Sequence, residues 1–373
     1  MEPFAFQNLV SDKVKHLTPY LPGRSISEIQ KQYHVQDVIK LASNENPLGC
    51  SPDVLKKLQN ISSLDLSIYP ATSQHPLLQD LCEFLNIHEN QILITNGSDA
   101  GFSLLIQAFA CPFQKKILTH EYAFMGYEIQ ASSFGIDTLK ASVHPKSWTV
   151  DIAHLKKLTL EKPAIVFIAN PNNPTGLKLS WEEIESLLQT LSPETLLVLD
   201  EAYHEYDLTP HPPLHTLLNT YSNLIITRTF SKAYGLAGLR IGYLMAHPQV
   251  IQTLKRIQLP FTINQQALNA AHIPLKDQNF IRQTQSNNQQ GMEFLIQALK
   301  STPLITRPSW GNFITIEDEN PIQPLVQYLE SQGIIIRGLQ AFGLQNVARI
   351  TVGTPLQNER LSLALHNYFQ SKG

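Results

Sequence analysis

Four short apolar runs in this sequence each end on side chains that can do chemistry. Ile92–Thr95 is followed by Asn96-Gly97-Ser98-Asp99, and Ile165–Ala169 by Asn170-Pro171-Asn172-Asn173-Pro174-Thr175-Gly176. Leu196–Leu199 is followed by Asp200-Glu201-Ala202-Tyr203. Leu224–Thr227 is followed by Arg228-Thr229-Phe230-Ser231-Lys232, with Arg240 eight residues on. A lysine can form a Schiff base with an aldehyde. An aspartate buried below it would keep a ring nitrogen protonated and make that ring an electron sink. Asn173 and Tyr203 can both hydrogen-bond a ring oxygen. The amides at a helix start after Gly97, the hydroxyls of Thr229 and Ser231 and the Arg240 guanidinium can bind a phosphate dianion. Aldehyde, pyridinium, ring oxygen and phosphate together describe pyridoxal 5′-phosphate.

Each signal alone has an ordinary reading. The Asn-Pro-Asn-Asn-Pro-Thr-Gly run is dense turn chemistry, and an aspartate closing an apolar strand is as often a helix cap. The order argues for one site, with 27 residues from Asn173 to Asp200 and 32 from Asp200 to Lys232. From Gln91 to Ala246 strands alternate with amphipathic helices, and Ser180-x-x-Glu183 predicts a capping box. That alternation predicts an α/β fold with a mostly parallel sheet, which binds ligands at the carboxyl ends of its strands. The last hundred residues predict a smaller α+β unit. The expected division is 1–40 as a segment joining the small domain, 41–265 as the large domain and 266–373 as the small one.

Composition narrows the partners. Of 373 residues 43% are apolar, and only 16% are charged, against roughly 25% in typical soluble proteins; 28 Lys and Arg face 31 Asp and Glu. With 30 Gln and 22 Asn, the surface is polar largely through amides. No basic block supports nucleic-acid binding, and no apolar run approaches the roughly 20 residues of a membrane span. Cys50, Cys82 and Cys111 are odd in number and widely spaced, which suits a reducing, cytoplasmic setting. Pro212 and Pro213 break the helix that would align His211 with His215, and Gly235-x-x-Gly238 is too short for a dinucleotide fingerprint. Neither a metal nor a nicotinamide is expected.

The chain resembles the histidinol-phosphate aminotransferase family, class-II pyridoxal-phosphate-dependent aminotransferases of fold type I. The likeness runs from about Pro19 to Thr354. It rests on Tyr20-Leu21-Pro22-Gly23, on Leu41-Ala42-Ser43-Asn44-Glu45-Asn46-Pro47-Leu48-Gly49, on Lys232-Ala233-Tyr234-Gly235-Leu236-Ala237-Gly238-Leu239-Arg240 and on Arg349-Ile350-Thr351-Val352-Gly353-Thr354. The resemblance implies a large domain with a seven-stranded sheet and a smaller α+β domain. It makes Lys232 the Schiff-base lysine, Asp200 the pyridinium partner, and Asn173 and Tyr203 the ring-oxygen contacts. Ser98, Asp99, Thr229, Ser231 and Arg240 fall where the cofactor phosphate is held, and Tyr122 where an aromatic stacks on the ring. Tyr69 matches a tyrosine that reaches the neighbouring subunit's cofactor, which implies a homodimer with shared active sites. Arg337 and Arg349 match two anion-binding arginines, and Tyr20 and Asn46 line the substrate pocket.

The implied reaction moves the amino group of L-histidinol phosphate to 2-oxoglutarate, giving imidazole acetol phosphate and L-glutamate in histidine biosynthesis. Guanidinium forks suit both phosphate and carboxylate. The alternatives are an aromatic amino-acid (phenylalanine or tyrosine) aminotransferase, both activities together, or a phosphothreonine-type decarboxylase. A non-catalytic sensor domain would bring a DNA-binding module, and about 40 residues before Asn44 leave little room for one. Ala100 and Ala71 stand where many relatives carry acids, and Thr229 where serine is frequent.

Overall fold

The computed structural model describes residues 9–18, 23–70 and 75–371. Seven strands form the large sheet: β1 (Ile92–Thr95), β2 (Ile117–His120), β3 (Thr138–Ala141), β4 (Ile165–Ala169), β5 (Leu196–Asp200), β6 (Leu224–Thr229) and β7 (Gly242–Ala246). Their order across the sheet is β1-β7-β6-β5-β4-β2-β3, and β7 alone runs against its neighbours. The apolar runs are continuous because both faces are covered. Val166, Ile168, Leu197, Leu199 and Ile226 point into one core, while Ile165, Phe167, Val198 and Ile225 point into the other. Period two thus splits each run between two cores.

Helices cover both faces. The helix Trp181–Leu188 opens on the capping box read from the sequence: Ser180 Oγ accepts from Glu183 N while the Glu183 carboxylate accepts from Ser180 N. The helix after β1 runs as Gly97–Leu105 and continues as a wider π-turn from Ile106 to Ala110. The helix after β2 starts only at Met125, since Tyr122 adopts a left-handed backbone, φ 56°.

A second, antiparallel sheet orders Arg337–Gly338, Val347–Thr351, Phe313–Glu317 and Ile305–Thr306 side by side. The part of the N-terminal stretch from Arg24 to Leu41 joins this unit, whereas Asp12–Lys15 lies against the large domain, with Lys13 Nζ paired to Asp137. Ile39–Lys40 pairs in parallel with Ile334–Ile335, and Thr351 N donates to Leu41 O at 2.9 Å. The helix Gln265–Lys276, however, packs Ala267, Leu268, Ala271 and Leu275 into the core of the large sheet. We therefore place the proposed domain division beyond it, within the long helix Gln278–Leu299. Among the described residues no helix is long and apolar enough to cross a membrane.

Candidate active site

The carboxyl ends of β1, β4, β5 and β6 meet at one cavity of about 120 Å³. Its walls carry Ser98, Asp99, Asn173, Asp200, Tyr203, Thr229, Ser231, Lys232 and Arg240, nine of the residues singled out in the sequence. Strand direction explains Arg240: it precedes antiparallel β7, so the start of β7 lies where its neighbours end.

One end of the cavity is built for an anion. Thr229 Oγ1 donates to Ser231 Oγ at 3.0 Å, and Arg240 Nη1 donates to the same Ser231 oxygen at 3.2 Å. The helix beginning at Gly97 has no side-chain cap from Asn96, so its first amides remain available to a bound anion. Gly97 has φ +72°, and a Cβ there would lie 2.7 Å from Arg240 Nη2. Glycine takes that backbone without strain, and any larger residue would push the guanidinium aside.

The other end holds a buried acid and a buried amine. Asp200 Oδ2 accepts from Tyr127 Oη at 2.6 Å and Oδ1 from Thr227 Oγ1 at 3.3 Å. Burial raises the Asp200 carboxyl to about 6 against these hydrogen bonds. Burial, reinforced by Arg349, lowers the Lys232 amine to about 8, so far more of it is uncharged near neutrality than in an exposed lysine. Its Nζ donates to Ser43 O at 3.1 Å. Tyr203 Oη accepts from Asn44 Nδ2 at 2.9 Å, and the Asn173 side-chain oxygen accepts from Arg349 Nη1. Arg349 thereby sets which way the Asn173 amide faces.

A second cavity of about 370 Å³ shares Asp99, Phe124, Asn173, Tyr203 and Lys232 with the first and adds Asn44, Arg337 and Arg349. The two arginines are direct cross-strand partners in the small sheet, so both guanidinium stems rise from one point of its surface. The site thus joins a primary amine, a buried carboxylate and a phosphate-sized cradle to a compartment with two guanidinium groups.

Several sequence expectations are corrected. Tyr122 turns away and meets Trp148 edge-on at 5.9 Å; the aromatic on both cavity walls is Phe124. The turn after β2 puts residues 122 and 124 in different directions, which spacing alone does not reveal. Asn46 lies outside both cavity walls, and its Nδ2 donates to Ala233 O at 2.8 Å and Thr284 Oγ1 at 3.0 Å, clamping the chain beside Lys232. Asn44, overlooked in the sequence, faces the site instead. Its left-handed backbone, φ 56°, suits asparagine better than most residues, and Thr351 anchors its backbone N–H and side-chain oxygen. Tyr127 was also overlooked, since its place in a helical apolar pattern gives no hint of Asp200. Tyr69 is not among the corrections: expected to reach a neighbouring subunit's cofactor, it stands outside its own chain's cavities, 76% exposed and stacked on Phe261 at 4.4 Å. Tyr20 and Ala71 lie outside the described residues.

Behind the site, on the other side of β5 and β6, lies a different polar cavity of about 240 Å³. There Arg228 Nη2 and Nε reach Glu201 Oε2 at 2.8 and 2.9 Å, and Lys178 Nζ reaches Asp207 Oδ2 at 2.8 Å. Glu201, His204 and His211 bring potential ligand atoms within 4.8 Å of one another, but Glu201 already neutralises Arg228.

A lysine and an aspartate at adjacent strand ends, beside a hydroxyl-and-arginine anion cradle, form a donor set that fits a phosphorylated aldehyde. The comparison with known proteins narrows this: residues 36–365 match the family aminotransferase class I and II, and the chain belongs to it. It is 43% identical over 366 residues, 98% of its own length and 99% of the relative's, to histidinol-phosphate aminotransferase 2 of Legionella pneumophila strain Lens. The crystal structure of histidinol-phosphate aminotransferase from Sinorhizobium meliloti in complex with pyridoxal-5′-phosphate superposes with a TM-score of 0.86 at 25% identity, covering 98% of each chain. L-threonine-O-3-phosphate decarboxylase from Porphyromonas gingivalis superposes with a TM-score of 0.75 at 25% identity, over 89% of this chain and all of the other. The family carries pyridoxal phosphate, and the donor set found here fits it.

Proposed function

We propose that this aminotransferase moves the amino group of L-histidinol phosphate to 2-oxoglutarate, with pyridoxal 5′-phosphate held between Lys232 and Asp200. The observation that carries this reading is the pairing of Arg337 with Arg349 in the compartment reached by Lys232. Two guanidinium groups suit a substrate phosphate in one half-reaction and a dicarboxylate in the other. The 43% identity to a full-length relative of that name supports the same choice.

The chemistry that bound pyridoxal phosphate supplies is an aldehyde for amine capture and a ring that withdraws electrons from the amine-bearing carbon. Ser98, Thr229, Ser231, Arg240 and the amides after Gly97 would hold its phosphate, and Phe124 would cover its ring. The Asp200 carboxylate would keep the ring nitrogen protonated, while Tyr203 Oη and the Asn173 amide would contact the ring oxygen. Lys232 Nζ would act as the general base that takes the proton from the substrate carbon and later returns one. Its lowered basicity keeps the free amine accessible near neutral pH. Arg337 and Arg349 orient the substrate's distal anion.

We infer a homodimer as well. Leu64, Leu66, Ile68, Tyr69, Leu259 and Phe261 are large apolar side chains left more than half exposed, a concentration that a second copy would cover. Size-exclusion chromatography with light scattering should give twice the 42.0 kDa chain mass. The three free cysteines fit a reducing, cytoplasmic location.

Half-reaction spectra with histidinol phosphate, phenylalanine and tyrosine test the assignment. The proposal expects kcat/KM to be highest for histidinol phosphate. A higher value for the aromatic amino acids would transfer it to the aromatic aminotransferases. Carbon dioxide release from phosphothreonine would instead place it with the decarboxylase.

A further inference from the structure

Tyr127 is wholly buried beneath the site. It sits on the helix Met125–Ser133, one turn beyond Phe124. Its ring stacks on Phe167 at 4.8 Å with planes 12° apart, and meets Phe102 and Phe124 edge-on at 5.1 and 5.4 Å. Three aromatic neighbours leave the ring one orientation, and in it the hydroxyl reaches Asp200 Oδ2 at 2.6 Å. A phenylalanine would fill the same space, so packing gives no reason for the hydroxyl. Placing a phenol among aromatic rings carries a desolvation cost, offset here by a charge-assisted hydrogen bond.

We propose that Tyr127 is a positioning residue for the transamination site: its phenol holds the Asp200 carboxylate ionised and turned toward the cavity. The inference rests on the pyridoxal phosphate reading above and adds to it a residue outside both cavity walls. Burial works to protonate Asp200, and Asp99 on the neighbouring helix pushes the same way. Tyr127, Thr227 and the Ala202 amide oppose them, while Lys232 and Arg240 share the cavity. Thr227 is the weaker side-chain donor, at 3.3 Å. Burial also raises the phenol's own pKa far above its usual range, so Tyr127 remains a donor at every working pH. Without it, burial and Asp99 gain ground, and the carboxylate protonates at a higher pH.

The test is binding of pyridoxal 5′-phosphate to the full-length apoprotein, followed by equilibrium dialysis from pH 5 to 9. For Tyr127→Phe the dissociation constant at pH 7 should rise about tenfold to a hundredfold. The acid midpoint below which binding fades should move up by about one pH unit. On an Asp200→Asn background the same substitution should change neither quantity. A wild-type dissociation constant and midpoint in Tyr127→Phe would overturn the inference, and so would an equal penalty on the Asp200→Asn background. If Tyr127→Phe does not fold, 3-fluorotyrosine at position 127 keeps the ring and strengthens the donor. The midpoint should then fall, and an unmoved midpoint counts against the proposal. Failure of the wild-type apoprotein to bind pyridoxal phosphate would overturn the cofactor reading itself, and this inference with it.

Discussion

Asp200 and Glu201 are consecutive, both at the end of β5 and both buried, yet they lie in opposite kinds of surroundings. Asp200 opens into a cavity where its cationic neighbours are a weakened lysine and an arginine at the far end. Glu201 points through the other face of the sheet, where Arg228 holds it at 2.8 Å. Burial raises one carboxyl to about 6; burial pushes the other up too, but Arg228, His204 and His211 together outweigh it and leave it below its usual value. Arg228 and Lys232 show the same contrast: one guanidinium fully paired, one amine left to lose its proton. The sheet's alternation makes this possible. A strand end presents successive side chains to opposite faces, so one face can pair its charges while the other keeps them available for a ligand.

Breaking the two sides should therefore have opposite signatures. Asp200→Asn should cut kcat/KM by at least about a hundredfold with Tm of the cofactor-free protein little changed, because it removes a buried charge that no cation pairs and leaves an amide oxygen to accept from Tyr127. Glu201→Gln should do the reverse. Removing one member of a buried pair costs about 3 to 5 kcal/mol, read as a fall in Tm and in denaturation midpoint, while kcat/KM of the folded enzyme changes less than about threefold. Equal effects on activity from both substitutions would erase the distinction between the two faces.

Arg349→Lys sharpens the comparison on the substrate side. It keeps the charge but loses the fork, and should lower kcat/KM for histidinol phosphate and for 2-oxoglutarate alike, by about tenfold to a hundredfold. A loss confined to one substrate would show that the arginines divide the two anions between them.

The smallest expected effect is a pH slope behind the sheet. Burial, with Arg228 adding, lowers His204 from 6.5 to about 4. The unfolded chain thus takes up a proton between those values that the folded protein refuses, and stability should fall as pH drops from about 6.5 toward 4. In His204→Gln the decline of Tm over that window should be shallower. An unchanged slope would mean that His204 is hydrated and titrates normally.

Much of the candidate site was legible in the sequence because strand ends are local features. Asn173, Asp200, Lys232 and Arg240 each follow or precede an apolar run, and the sheet had only to bring the ends together. The capping box at Ser180 and Glu183 was equally local. What stayed hidden depends on direction within a turn. Tyr122 and Phe124 are two residues apart, and a left-handed backbone at 122 decides which of them faces the site. Asn44 and Asn46 exchanged roles for a similar reason, since the left-handed Asn44 is pinned by Thr351, far away in sequence. Tyr127 was invisible because its hydrogen bond crosses the core, and in sequence it reads as one more apolar position. The helix Gln265–Lys276 shows the same limit at domain scale: its composition did not reveal which core it joins.

The most direct measurement is borohydride reduction of the purified protein with pyridoxal 5′-phosphate, followed by peptide mapping and a spectrum taken on adding histidinol phosphate. One phosphopyridoxyl group per chain should be found on Lys232, and without the reductant histidinol phosphate should bleach the visible band within the turnover time. A label on another lysine, or a Lys232→Ala protein that binds cofactor and turns over normally without added amine, would contradict the placement of the chemistry at the end of β6.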